Sequence, residues 1–156
     1  MQKRAYRLGV LCLCLLLFAF LAPQQAYAQK IGKGATSDQV FEILASEIAL
    51  QRGEAGLAYQ TYLGLARQTG QADLAQRAME IAIAANSPDL ALVAAQTWDE
   101  LSSPSQTKPK EILVTLLMLN QRWSESVKPA VALLNQQSLS EREKTLKQWQ
   151  SLIGRA

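Results

Sequence analysis

Histidine is absent from the 156-residue chain, and both cysteines, Cys12 and Cys14, fall inside its first apolar run. Without an imidazole no Ser-His-Asp or Cys-His arrangement can form, because each relies on that ring to take the nucleophile's proton. Any metal site beyond residue 28 would have to be built from carboxylates. These stand singly, apart from Asp99-Glu100 and the pair Glu141 and Glu143 flanking Arg142. Neighbours one or two apart on a helix do not face each other. A hydrolase using two carboxylates brought together by the fold is the enzyme class that composition leaves open. The stretch "IGKGATS" lacks the spacing and the preceding strand of a phosphate-binding loop. No alternating run of strand length occurs either. These absences lead us to expect a non-catalytic, all-α protein with no cofactor and no metal.

The first segment reads as an address. "MQKRAYR" is basic, "LGVLCLCLLLFAFLA" is an apolar run of fifteen residues, and Pro23 precedes the small-x-small motif "AYA" at Ala26–Ala28. That order is the layout of a secretory signal peptide, and the run is shorter than the roughly 20 residues of a membrane-spanning helix. The expectation is cleavage after Ala28, recognised through Ala26 and Ala28, and export to the periplasm with no membrane span in the mature chain. Retention as an N-terminal anchor is the alternative. Cys12 and Cys14 sit within the run rather than just after it, so lipidation is not expected, and residues 29–156 contain no thiol.

Removing that segment changes the charge. The chain has 16 basic and 13 acidic residues, and Lys3, Arg4 and Arg7 supply the whole +3 excess because residues 1–28 contain no Asp or Glu. The remainder is neutral, with no basic cluster after Lys33, which excludes the electrostatic footprint of a nucleic-acid binder.

Residues 29–37, "QKIGKGATS", are polar and glycine-rich and read as a flexible leader. Asp38, beside Ser37, is the expected N-cap of a first helix carrying Phe41, Leu44, Ala45 and Ile48 at helical spacing. Gly53 should stop it. A second helix, about 54–69, places Leu57, Ala58, Tyr62, Leu65 and Ala66 inward and ends at Gly70. The phrase repeats. A helix from Asp73 carries Leu74, Ala75, Ala78, Met79 and Ala82, and Pro88 opens the next, with Leu90, Ala91, Ala94, Ala95, Trp98 and Leu101. After the loop 102–109 come helices at about 110–120, with Ile112, Leu113, Leu116 and Leu117, and 124–136, with Val127, Val131 and Leu134. Pro129 would delay or bend the latter. Residues 138–156 read as a C-terminal capping helix, opened by a Ser140/Glu143 capping box and striped by Leu146, Trp149 and Ile153. The units expected are therefore a signal peptide (1–28), a leader (29–37), three hairpins in 38–137 (about 38–70, 71–103 and 108–137) and the capping helix.

Ala58, Ala91 and Ser126 occupy one place in the three second helices, 33 and 35 residues apart. A period near 34 with two helices per unit marks a helical repeat. Its physical cause is that one hairpin cannot bury its own apolar face, so successive hairpins stack and share it.

Over roughly 39–137 the chain resembles the tetratricopeptide repeat family. Gly53 stands at the first turn, Ala58 at the small position and Tyr62 at the aromatic position of the first unit. Ala91 matches in the second, where Asn86 replaces the turn glycine and Ala95 the aromatic. Trp123 and Ser126 match in the third. Met79 and Val114 depart from the family's small residues, and no first helix carries its expected Trp. The chain also looks like the opening of longer signal-peptide-bearing bacterial proteins of this type, of which it would be an N-terminal portion. The resemblance implies a right-handed α-solenoid whose first helices line a concave surface. Helix phase then gives Glu47, Gln51, Gln76, Glu80, Glu111 and Thr115 as partner-contacting candidates. The set is acidic and amide-bearing, so it suits another protein or a peptide of neutral or basic character; plain solvated helix positions are the alternative reading. A scaffold that self-associates through its exposed ends, with Trp149 at the interface, is the competing function.

Overall fold

The computed structural model describes residues 36–154. The apolar run, Ala26, Ala28 and nearly all of the expected leader lie outside the described residues. The chain divides into a first unit, Met1–Val40, and a second, Phe41–Ala156. Of the first unit, residues 36–40 are described, and they begin a helix. Its cap is Thr36 rather than Asp38: the Gln39 N–H donates to Thr36 Oγ1 at 3.3 Å and the Thr36 N–H donates to Gln39 Oε1 at 2.9 Å. This is a reciprocal capping box, and it puts Asp38 in the first turn, where its charge favours the positive helix end.

Among the described residues there are seven helices and no strand. They are α1 (Ser37–Gln51), α2 (Ala55–Thr69), α3 (Ala72–Ala84), α4 (Pro88–Leu101), α5 (Lys108–Leu119), α6 (Trp123–Gln136) and α7 (Leu139–Ile153). None is long and apolar enough to cross a membrane. In the second unit each of α2 to α5 packs on the helix that follows it, and contacts also join α2 to α4 and α5 to α7.

The turn within each hairpin is built the same way three times. Gly53 (φ 82°), Asn86 (φ 51°) and Gln121 (φ 58°) each take the left-handed conformation, 33 and 35 residues apart. In each case the next N–H reaches back five residues to a helix carbonyl: Glu54 to Ala49, Ser87 to Ala82 and Arg122 to Leu117, all at 2.9 Å. This bond satisfies a carbonyl that the ending helix leaves orphaned. Five residues past each turn, Ala58, Ala91 and Ser126 are all buried. Gly70 (φ 70°) ends α2 with a fourth left-handed cap, its N–H donating to the Ala66 carbonyl.

The middle of the stack buries an alanine-rich seam in which Leu74, Ala75, Ala78, Met79 and Ala82 of α3 meet Ala91, Leu92, Ala94 and Ala95 of α4. Small side chains there let helix backbones approach closely. Towards the C-terminus the filling is larger, with Val114, Ala130, Leu133 and Trp149 forming one buried cluster. Each fully buried leucine contributes roughly 1.5–3 kcal/mol. Lys110 Nζ donates to both oxygens of Asp99, at 2.8 and 2.7 Å, clasping α4 to α5 across the intervening loop.

Several expected faces are shifted. In α1, Ile43, Ser46 and Ala49 are buried, while Phe41, Leu44, Ala45 and Ile48 are exposed. Leu57 and Leu90 are exposed as well. In α6 the buried residues are Ser126, Ala130 and Leu133, so Val127 and Val131 point outward. In α7, Trp149 is buried beside Thr145 while Leu146 and Ile153 are exposed. The α7 capping box is Ser138 with Glu141 rather than Ser140 with Glu143. Helix α6 starts at Trp123 and runs through Pro129 instead of starting late. Helix α5 starts at Lys108, with Pro109 in the first turn, where its missing N–H would be unpaired anyway.

Candidate functional site

The first helices α1, α3 and α5 carry all six candidate residues, and three of these are drawn together by a residue that sequence reading passed over. Arg77, the only cation of α3, donates from Nη2 to both Glu47 oxygens at 3.0 Å and from Nε to Glu47 Oε1 at 3.2 Å. The Tyr62 hydroxyl donates to the same Oε1 at 2.6 Å. Glu80 stands 3.6 Å from Arg77 Nη1, and Gln76 Nε2 donates to Glu80 Oε1 at 2.9 Å. Glu47, Gln76 and Glu80 thus form one network with Arg77 and Tyr62, tying α1 to both α2 and α3.

Burial sets the electrostatics of this network. It pushes the Tyr62 phenol far above its ordinary value, and the Glu47 hydrogen bond and charge push the same way, while Arg77 works against them. Burial opposes the Arg77 charge, but the Glu47 hydrogen bonds and charge outweigh it and raise the guanidinium further. Both groups therefore hold their protons throughout the neutral range. A neutral donor and a fixed cation locked onto one carboxylate make a brace between α1, α2 and α3. They do not make a general acid or base poised near neutrality.

The other candidates lie apart from this network. Glu111 and Thr115 are half-buried on α5, where the Thr115 hydroxyl donates to the Glu111 carbonyl at 2.8 Å. Gln51 is exposed at the last residue of α1. Counted back from the left-handed turn residue, Glu47, Glu80 and Thr115 all stand six positions before it, so they share a register across the three hairpins. Arg77 could have been found from sequence as the lone cation of an alanine-rich helix, since such a group is seldom buried without a partner. Among the described residues no group of three or more acidic, histidine or cysteine side chains gathers as a metal site would require.

A smaller apolar recess of about 220 Å³ lies between the α3–α4 turn and α5, lined by Ile83, Pro88, Ala91, Leu116 and Leu119. Neither a protein-family model nor a curated protein matches this sequence.

Proposed function

We propose that the protein is an exported, non-catalytic interaction module of tetratricopeptide type. In this reading its hairpins form a right-handed solenoid closed by α7, and it holds another protein or an extended peptide against the surface of α1, α3 and α5. The observation that carries this reading is the turn built three times at Gly53, Asn86 and Gln121, each followed by a small buried residue five positions on. A repeat of that kind places equivalent side chains of successive units in a row, which is how extended concave surfaces arise. The contacts joining α2 to α4 and α5 to α7 are those of hairpins laid side by side. Export follows from the signal-like first segment, with cleavage after Ala28 and residence in the periplasm.

The clamp on Glu47 refines the candidate surface. Arg77 draws Glu47, Glu80 and, through Glu80, Gln76 into one network, so a partner would meet these three as a set, together with Gln51, Glu111 and Thr115. An acidic and amide-bearing row of this composition suits a neutral or basic peptide.

The test is affinity capture from periplasmic extract with the wild-type chain and with Glu80→Lys/Glu111→Lys. Loss of a retained partner in the variant, with unchanged far-UV circular dichroism, is the expected result. Equal retention of the same partner by both would overturn the inner-surface assignment.

A further inference from the structure

Both ends of the helical stack leave apolar rows uncovered, and the two ends differ in charge. On α1, Phe41 is 73 % exposed and Leu44 58 %, with Ile48 exposed on the same stripe. Beside the stripe, Glu42, the neighbour of Phe41, lines a groove of about 460 Å³ together with Leu57, Gln60, Gly64 and Gln68 of α2. The groove is open at Gly64, where an added Cβ would meet nothing within 4 Å. At the other end Leu139, Leu146 and Ile153 repeat every seven residues along α7 and all are at least half exposed, as are Val127 and Val131 of α6. A seven-residue spacing keeps side chains on one side of a helix, the arrangement that packs against a neighbouring helix.

Charge decides which surface suits which. Helix α1 carries Asp38, Glu42 and Glu47 and no cation, and with Glu47 taken up by Arg77 its outward charge is that of Asp38 and Glu42. Helices α6 and α7 together carry four cations, Lys128, Arg142, Lys144 and Lys147, against three carboxylates, Glu125, Glu141 and Glu143. Pairing two α1 ends would bring like charges together, whereas pairing an α1 end with an α6–α7 end brings opposite ones together.

We infer that the occupant of each exposed end is a second copy of this chain, docked head to tail, with the α1 stripe and its groove against the α6–α7 rows. This contact is heterologous, so it propagates from copy to copy unless the rotation closes a ring. It leaves the inner surface free and does not depend on that surface binding anything. Trp149, 5 % exposed, is part of each copy's own core and not of the contact.

The test uses full-length chains with Cys12→Ser and Cys14→Ser, so that the only thiols are those introduced at exposed positions. One chain carries Ile48→Cys and the other Leu146→Cys, and cells expressing them singly or together are treated with a short bis-maleimide. Expected are a cross-linked dimer only when both chains are present, a ladder when one chain carries both cysteines, and loss of both products on adding Leu44→Lys. No cross-link, or a dimer of the Ile48→Cys chain alone, overturns the proposal. So does a cross-link to a chain of different mass, or one that Leu44→Lys leaves unchanged.

Discussion

Glu47 and Arg77 lie thirty residues apart in sequence and meet through three hydrogen bonds of 3.0–3.2 Å, joining the first helix of one hairpin to the first helix of the next. Both side chains are about a third exposed, so water screens the ion pair and its own worth stays below about 1 kcal/mol. The consequence for Tyr62 is larger, because its buried hydroxyl also relies on Glu47.

Glu47→Ala should therefore cost about 1–3 kcal/mol through the unpaired phenol. Arg77→Ala should cost less than Glu47→Ala. Urea unfolding of the two single variants and the double variant measures this, and adding Tyr62→Phe to Glu47→Ala should restore part of the loss.

The repeated turn gives a second prediction. Gly53→Ala places a Cβ on a left-handed residue and should destabilise by about 1–2 kcal/mol. Gln121→Gly removes that strain and should stabilise by about 1 kcal/mol, and Asn86→Gly by less, because asparagine tolerates this conformation. Denaturant midpoints should rise in the order Gly53→Ala, wild type, Asn86→Gly, Gln121→Gly.

The register of α6 yields a third. Leu133 is fully buried, and Val131, two residues earlier, is half exposed. Leu133→Ala should lose about 2–5 kcal/mol, while Val131→Ala should stay within about 0.5 kcal/mol of the wild type. Thermal or urea unfolding separates them, and the apolar face read from sequence predicts the reverse sensitivity at Val131.

Two groups make stability depend on pH at opposite extremes. The Ser138 hydroxyl, and then its N–H, hold the Glu141 carboxyl below its ordinary value. That contribution is present above the ordinary carboxylate range and is lost as pH falls through the lowered value. Ser138→Ala should thus lower the urea midpoint at neutral pH, with the gap to wild type narrowing in acid. Tyr62 works the other way: with its folded value raised, its contribution is full below the ordinary phenol value of 10.0 and is lost as pH rises. The stability difference between wild type and Tyr62→Phe should shrink above about pH 10.

How much was legible in the sequence depends on position in the stack. In α3 every apolar residue marked by periodicity is buried, because α2 and α4 cover that helix from both sides. In α1, α6 and α7 periodicity found apolar residues but not which of them meet a neighbour. Each has apolar residues on more than one face, so Ile43 and Leu133 are covered while Phe41 and Val127 are not. "SLSERE" holds two overlapping capping boxes of equal spacing, and the structure uses Ser138 with Glu141. Helix phase marked Glu47, Gln76 and Glu80. Gln76–Glu80 and Arg77–Glu80 lie four and three residues apart along α3 and are local, whereas the bond from Arg77 to Glu47 is made between helices and has no local spacing to mark it.

The central claim is that hairpins lie side by side in an open stack with their first helices in a row. Spin labels at Gln51, Ala84 and Leu119, all exposed and each two residues before a left-handed turn, test it in a chain with Cys12→Ser and Cys14→Ser. Pulsed electron–electron double resonance should give similar distances for 51–84 and 84–119, and a 51–119 distance well beyond either. A 51–119 distance equal to or shorter than the other two would mean that the helices close around one centre, contradicting the account.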